Sequence, residues 1–389
     1  MKFNKWTLGL AALGAVSLTS VAQAEEKMNA VETAVASTTL SGYIDTSMQW
    51  NPGTGDVNLP NYSFGGAGKA DGFNLNVVQL TIAKALDETE WAAGYRADLW
   101  FGPDANTLNS ASTGSGTGSD LAIRQAYVAL RTPVGNGIDW KVGVFDSILG
   151  YETLESGNNP NMTRSYGFSV EPTTLTGLLA SYRVTEAISF AGGIADTTGP
   201  TINARANPPK AESFKAYTGS VALTAPSDWG WIAGSSLYAG AIAGYDTIAA
   251  GTRNNYYVGA TVNTPVTGLK AGIAFDYAHM RSGTSTASVI SPVFGPVNNQ
   301  YAWALYLSYQ ATEKMSLHGR AETIREQGAA AANDNEAYAL TGTVQYDLWE
   351  NVISRMELRW DHGDQPSYGP IGNLQKNAVM VAANIIYKF

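Results

Sequence analysis

Cysteine is absent from the 389-residue sequence, so the protein has no disulfide bond and no thiolate metal site. Charged residues are also scarce, at 15% of the chain, against about 25% in ordinary soluble domains. No stretch reaches the roughly 18 consecutive apolar residues that a membrane-spanning helix needs. A membrane location would therefore require a closed β-barrel, because lipid satisfies no backbone N–H or C=O group.

The first 24 residues have the features of a secretory signal peptide. Lys2 and Lys5 give a basic start, residues 8–18 form a short apolar run, and Ala22-Gln23-Ala24 is a small-residue cleavage site. Cleavage after Ala24 would lower the basic residues from 24 to 22 against 33 acidic ones, a net charge of −11. This balance argues against a nucleic-acid partner. Residues 25–39 are predicted to be a lead that is either a short helix or disordered, and a retained membrane anchor is the alternative to cleavage.

The last twelve residues alternate in the way that an extended strand requires. Residues 379, 381, 383, 385, 387 and 389 form an apolar face that ends on Phe389, while the other face is smaller or more polar. An outward apolar face with terminal aromatic residues is typical of the strand that closes a membrane β-barrel. The last strand of a soluble sandwich is the alternative. We expect the barrel-assembly machinery to recognise this strand.

From residue 40 to residue 389 the sequence reads as strand, turn and strand, which predicts an all-β fold. We count about 16 strands, within a range of about 14–18. Short connections alternate with long ones, as they do in a transmembrane antiparallel up-and-down barrel with short periplasmic turns and long external loops. A barrel of about sixteen strands is wide enough for a water-filled lumen.

Charged residues recur on one face of the predicted strands, and they decide which face is the inner one. An Arg or Lys that faces lipid costs about 2–4 kcal/mol at the midplane of the bilayer. We therefore assign the charged faces to the lumen. The predicted pore-lining residues are Arg96, Asp98, Lys270, Asp276, Arg320, Glu322, Arg355, Glu357, Arg359 and Asp361.

Residues 146–172 are long for a connection and contain Leu149 and several aromatic side chains that could be buried. We expect this segment to fold into the lumen as a constriction loop, with Glu152, Glu155 and Arg164 influencing ion preference. An ordered external loop that packs on its neighbours is the alternative.

Several short sequences resemble those of a known family. These are LSGYID at residues 40–45, GYRADL at 94–99, QAYV at 125–128, GVF at 143–145 and LGYE at 149–152. They are similar to sequences in the OmpL-like family of β-barrel porins, which lie in the outer membranes of diderm bacteria. The resemblance implies an outer-membrane channel, and it implies no catalytic residue and no cofactor.

The predicted function is a non-enzymatic porin of the cell outer membrane of a Gram-negative-type bacterium. It would let ions and small hydrophilic solutes diffuse passively, with outer-membrane lipid around it. A single barrel and a homo-oligomer such as a trimer both stay open. A structural or adhesive barrel with a closed lumen is the first alternative.

An outer-membrane barrel hydrolase is the second alternative. Such lipases need a serine activated by a histidine, and none of His279, His318 and His362 has a serine two residues on. The most enzyme-like cluster is Asp361-His362-Gly363-Asp364, where a carboxylate and an imidazole could activate water or bind a metal. The alternative for this cluster is a solvated strand end.

We predict that neither the wild-type protein nor the Asp361→Asn variant hydrolyses peptides, since the cluster reads as a strand running into a loop. A fluorogenic peptide assay on both proteins measures this. Hydrolysis by the wild type that Asp361→Asn abolishes would contradict the prediction and support the hydrolase.

Overall fold

The computed structural model describes residues 37–54, 57–60, 62–65, 67–87, 89–108, 110, 120–206, 212–247, 251–281, 285–328 and 334–389. The predicted signal peptide, residues 1–24, and residues 25–36 of the predicted lead lie outside the described residues. Among the described residues, sixteen antiparallel strands form one closed barrel in which each strand pairs with its neighbours in sequence. The predicted fold class and strand number are confirmed.

The strands, in chain order, are β1 (Thr39–Trp50), β2 (Gly72–Lys84), β3 (Ala92–Phe101), β4 (Leu121–Thr132), β5 (Ile138–Asp146), β6 (Thr174–Arg183), β7 (Ile188–Ala195), β8 (Ala216–Thr224), β9 (Ser236–Asp246), β10 (Gly251–Asn263), β11 (Leu269–Met280), β12 (Val297–Gln310), β13 (Met315–Gly328), β14 (Asn335–Trp349), β15 (Val352–Gly363) and β16 (Asn377–Lys388). Two short α-helices occur in the part of the chain that the structure describes, α1 (Pro103–Leu108) and α2 (Tyr166–Val170).

The first and last strands close the barrel. Strand β1 pairs with β16 from Tyr43 opposite Lys388 to Trp50 opposite Val381. At the end of this seam the Gly42 amide donates to the Phe389 carbonyl at 2.9 Å, and the Phe389 amide donates back to the Gly42 carbonyl at 3.0 Å. The closed sheet leaves no edge strand with unpaired backbone groups, which is the condition for residing in lipid.

The connections differ at the two ends of the barrel. One end carries the start of β1, the end of β16 and mostly tight turns, such as residues 133–137, 311–314 and 350–351. The other end carries the longer connections, including residues 51–71, 147–173, 281–296 and 364–376. The connection between β8 and β9, residues 225–235, is an exception because it is long and lies at the tight-turn end.

The outer face of the barrel is apolar and the inner face is not. On β15, Met356 and Leu358 are 67% and 56% exposed, whereas Arg355, Glu357 and Arg359 on the other face are at most 2% exposed. The same alternation holds on β16, where the odd-numbered residues point outward. An exterior of this kind suits a bilayer, because it leaves apolar side chains in contact with lipid.

The inner face is polarised around its circumference. The inner positions of β7 and β8 carry small residues, for example Ala191, Ala195 and Ala222. Strand β15, which lies eight strands from β7 in the ring of sixteen, carries two buried arginines, Arg355 and Arg359. One wall of the interior is therefore smooth and weakly polar, and the opposite wall is densely charged.

Local departures from the predicted pattern are few. The sequence around Trp231 predicts a strand that runs to Tyr245, and this start is wrong: β9 begins at Ser236, after a 3-10 turn at Gly230–Ile232. The reason is the backbone at Gly230 and Gly234, whose positive φ values of 63° and 78° an extended strand does not adopt. Helix α1, which the predicted pattern of strands and turns does not include, buries Leu108. No helix among the described residues is long and apolar enough to cross a membrane.

An arginine placed on the outer face should destabilise the barrel by an amount that depends on its depth. We predict that Leu358→Arg, in the middle of β15, lowers the free energy of unfolding by about 2–4 kcal/mol. The matched variant Leu237→Arg, near the tight-turn end of β9, should lower it by about 0–1 kcal/mol. Urea titration of the protein refolded in phospholipid vesicles measures both. Equal losses at the two positions would contradict the assigned outer face.

Candidate functional site: the inner loop and the charged wall

The connection between β5 and β6, residues 147–173, folds back into the barrel, and we call it the inner loop. Its two ends meet where the Ser147 amide donates to the Thr173 carbonyl at 2.8 Å. Helix α2 lies within it, and the Ser165 hydroxyl caps the helix by accepting from the Phe168 amide at 3.1 Å. Most of the inner loop is buried, and Tyr166 and Val170 are fully buried.

The first part of the inner loop packs on glycines of the barrel wall. A Cβ at Gly240 of β9 would lie 2.5 Å from Leu149 Cδ2, and one at Gly272 of β11 would lie 2.0 Å from the Tyr151 hydroxyl. Only glycine permits contacts this close. The Tyr151 ring also stacks on Tyr306, with ring centroids 4.1 Å apart. These contacts place the start of the inner loop against β9–β12.

Within a few residues the inner loop reaches the far side of the barrel. A Cβ at Gly157 would lie 2.9 Å from Cε of Lys388 on β16. Strands β9 and β16 are seven places apart in the ring of sixteen, so residues 149–157 span almost the full width of the lumen. Both predicted acidic residues of the loop, Glu152 and Glu155, lie in this span.

Glu152 and Arg320 form a buried ion pair between the inner loop and the wall. Arg320 Nη1 donates to Glu152 Oε1 at 2.8 Å, and both side chains are fully buried. The same guanidinium donates to Glu322 at 2.9 Å and to the Thr163 carbonyl at 2.7 Å. Because an unpaired buried charge is costly, each of these groups depends on the others.

Two carboxylates of β15 hold the second half of the inner loop. Glu357 accepts hydrogen bonds from the Met162 amide at 2.6 Å and from the Thr163 amide at 2.9 Å. Asp361 accepts from the Tyr166 hydroxyl at 2.7 Å and also pairs with Arg359 at 2.8 Å. Arg359 in turn donates to a loop carbonyl 2.7 Å away. The side chains of β15 thus bind mainly the backbone N–H and C=O groups of the inner loop.

Glu155 carries the contact to the other side of the barrel. It accepts from Arg124 of β4 at 2.7 Å and from Arg96 of β3 at 3.3 Å. Asp98 pairs with the same two arginines, at 2.9 Å to Arg96 and 3.2 Å to Arg124. The inner loop is therefore bound by charged groups of β3, β4, β13 and β15 at once.

Arg164 and Arg355 are buried cations that form no ion pair among the described residues. Arg355 donates to the carbonyls of Ser156 and Asn159, each at 3.1 Å. Arg164 donates to the carbonyl of Leu154 at 2.9 Å and lies over the ring of Phe168, 5.5 Å from its centroid. Carbonyl dipoles and an aromatic face thus replace carboxylates as partners for these guanidinium groups.

The structure brings most of the predicted site residues into this network. Eleven of the thirteen lie in it: Arg96, Asp98, Glu152, Glu155, Arg164, Arg320, Glu322, Arg355, Glu357, Arg359 and Asp361. Asp276 contacts the inner loop separately, through Glu171. Lys270 lies apart from all of these residues, exposed on the inner face of β11.

Sequence reasoning missed Arg124, because a β-bulge shifts the phase of β4. The register jumps between Asp98, opposite Gln125, and Leu99, opposite Ile123, so Arg124 and Gln125 are both buried on the inner side. Simple alternation would have put one of these neighbours in lipid. The high cost of an arginine that faces lipid could have indicated that Arg124 points inward.

The strand geometry directs the side chains of Asp361 and His362, the most enzyme-like cluster in the sequence, to different partners. Asp361 points inward to Arg359 and Tyr166, whereas His362, its neighbour along β15, contacts Asn377 at 2.9 Å. No group of three potential metal ligands occurs in the described part of the chain. Within the described residues, the geometry offers charged walls but no carboxylate–histidine pair at Asp361 and His362.

A cavity of about 600 Å³ lies beside the inner loop towards the tight-turn end. The inner loop supplies one wall through Tyr151 and Asn158, and β11–β13 supply another through Lys270, Ser308 and His318. Among the described residues, this cavity is the open part of the lumen between the inner loop and the tight-turn end.

Comparisons with known proteins agree with this fold. The family model described as "Putative beta-barrel porin-2, OmpL-like" matches residues 37–389. No curated protein matches the sequence. Among solved structures, an anion-selective porin from Comamonas acidovorans has a TM-score of 0.60 at 13% identity, covering 91% of this chain and 99% of its own.

Two further structures are similar at low identity. OmpT, an outer membrane protein of Vibrio cholerae, has a TM-score of 0.56 at 10% identity, covering 93% of this chain and 100% of its own. Salmonella typhi OmpF has a TM-score of 0.56 at 14% identity, covering 90% of this chain and 97% of its own. At these identities the likeness shows the fold alone.

Glu171 and Asp276 join the inner loop to β11 through a hydrogen bond between two carboxyl groups. Such a bond forms only when one group carries a proton. Burial, and then the Asp276 charge, raise the pKa of Glu171 well above its ordinary value. The pKa of Glu171 is higher in the folded protein than in the unfolded chain. The stabilisation from this contact is therefore complete when the pH is below the ordinary glutamate pKa, and it is lost as the pH rises through the raised pKa of the folded protein.

We therefore predict that raising the pH from about 5 to about 9 destabilises the wild-type protein by about 1.5–3 kcal/mol through this contact. Glu171→Gln should remove that part of the pH dependence, because its amide donates to Asp276 at any pH. Thermal unfolding in detergent across the pH range measures both proteins. The same pH slope in wild type and variant would contradict the shared proton.

Proposed function

The chain belongs to the OmpL-like porin-2 family of β-barrel porins, and from that premise we propose that it is an outer-membrane porin for passive diffusion of ions and small hydrophilic solutes. The observation that carries the proposal is the inner loop, whose charged residues cross a sixteen-strand lumen and pair with the wall. A loop at this position would set the size and charge of what passes.

The proposal has four further parts. The signal peptide of residues 1–24 directs export, and the terminal strand ending at Phe389 is recognised by the barrel-assembly machinery. The mature protein resides in the outer membrane, as a single barrel or as a homotrimer. Its charged wall forms no catalytic site.

Acidic and basic groups line the constriction together, and this suits polar solutes. Glu152 and Arg320 lie on one side of the lumen, and Glu155 and Arg124 on the other. Mixed charges create a field across the lumen that orients water and dipolar solutes. A lumen of this kind admits hydrophilic molecules and disfavours apolar ones.

A barrel with a closed lumen is the second candidate function. It is favoured by the span of the inner loop, whose contacts reach β9 and β16, and by the complete burial of the Arg320–Glu152 pair. A closed barrel would act in adhesion or envelope structure through its long connections.

We predict that deleting residues 156–161 raises the single-channel conductance in planar bilayers, because it removes the part of the inner loop that reaches β15 and β16. The matched control deletes residues 329–334, a six-residue connection between β13 and β14. Unchanged conductance in the first variant would contradict the constriction.

Swelling of liposomes in sugars of graded size separates the two candidate functions. The porin admits the small sugars and excludes the large ones. A closed barrel admits none, and that result would overturn the proposed diffusion.

A further inference from the structure

We propose that the cavity beside the inner loop binds a small organic anion that carries a ring, with its carboxylate at Lys270 and its ring near Tyr151. The inference deepens the proposed function, because it names the class of solute that the lumen retains. It stands on the charges, rings and spacing of the cavity.

Most of the other charged residues around the cavity already have partners. Glu152 is paired with Arg320 at 2.8 Å, and Arg124 is paired with Asp146. Glu171 is hydrogen-bonded to Asp276, and with one shared proton this pair keeps a single negative charge. None of these groups offers an unpaired cation to a solute.

Lys270 is different. Among the described residues it forms no ion pair and no hydrogen bond, and it is exposed on the inner face of β11 within the cavity lining. Its neighbours across the sheet add hydrogen-bonding groups without charge: Ser308 lies opposite it on β12, and the Ser308 hydroxyl bonds His318 at 2.9 Å. An ammonium group beside uncharged donors is a site for an anion.

Aromatic rings form the adjoining wall. Tyr151 is partly buried, stacks on Tyr306 and lines the cavity together with Tyr238 and Tyr257. Tyr238 and Tyr257 also contact each other, with ring centroids 5.7 Å apart. Pockets that combine aromatic walls with a few polar groups bind molecules with a flat apolar part and a polar end.

The ring wall and the cation lie at a spacing that one small molecule can bridge. The Tyr151 hydroxyl rests against Gly272, and Lys270 is two residues from Gly272 on the same face of β11. Two residues along a strand span about 6.8 Å. A carboxylate attached directly to a six-membered ring meets both features, whereas a short aliphatic acid meets only one.

The test measures binding of benzoate to the detergent-solubilised full-length protein by isothermal titration calorimetry. Lys270→Ala should weaken benzoate binding about tenfold, the value of one charge-assisted hydrogen bond. Lys270→Arg, which keeps the charge, should stay within about twofold of the wild type. Acetate should bind more weakly than benzoate, and Tyr151→Leu should reduce that difference.

Three outcomes would overturn the inference. These are equal benzoate binding in wild type and Lys270→Ala, binding of benzylammonium as strong as that of benzoate, and absence of any benzoate binding. Glucuronate in place of benzoate distinguishes the kind of ring: stronger binding of benzoate assigns an aromatic carboxylate, and stronger binding of glucuronate assigns a sugar acid.

Calorimetry needs no transport, so it separates this inference from the proposed function. Benzoate binding that depends on Lys270 in a protein that conducts nothing would leave the site standing and reject the porin. In a conducting protein, benzoate should also reduce the single-channel current. The Lys270→Ala variant should need about tenfold more benzoate for the same reduction.

Discussion

A charged side chain in the middle of a strand of this barrel can lie only on the inner side, and this constraint determines much of the rest of the structure. The inward guanidinium groups of Arg320, Arg355 and Arg359 are almost completely buried, and burial without partners would be prohibitive. The wall alone does not supply enough acceptors. The inner loop supplies the remainder, through Glu152 and through backbone carbonyls. The loop and the charged wall therefore stabilise each other.

The fold was predictable from the sequence because a strand that faces lipid on one side must alternate apolar and polar residues. Alternation with period two identifies each strand, and the cost of a charge in lipid decides which face points inward. Strand β15 shows both effects, since its four charged residues on one face leave no second choice. The terminal alternation up to Phe389 likewise predicted the strand that closes the barrel. Boundaries failed where glycine changes the backbone, as at Gly230 and Gly234 before β9.

The candidate site was predictable in its members but not in its pairings. Charge and phase placed Arg320 and Arg359 on the inner wall, but nothing in the sequence indicates that Glu152 reaches Arg320, 168 positions along the chain. Arg124 was hidden by a bulge, and only the cost of an arginine facing lipid could have indicated its inward position. The surface on which the start of the inner loop packs was not predictable either. Nothing in the sequence shows that Gly240 contacts Leu149 or that Gly272 contacts Tyr151.

The seam between β1 and β16 has a consequence for the order of assembly. Gly42 and Phe389 are joined by two backbone hydrogen bonds although 389 − 42 = 347 positions separate them, so the seam carries a large loop-closure entropy cost and is expected to form late. Glu155 can meet Arg96 and Arg124 soon after synthesis, because all three lie near one another in sequence. Glu357 and Asp361 can receive the second half of the inner loop only when the carboxy-terminal strands arrive. The full set of inner-loop contacts thus depends on the same carboxy-terminal strands that close the barrel, and without those strands both a sheet edge and buried arginines would lack partners.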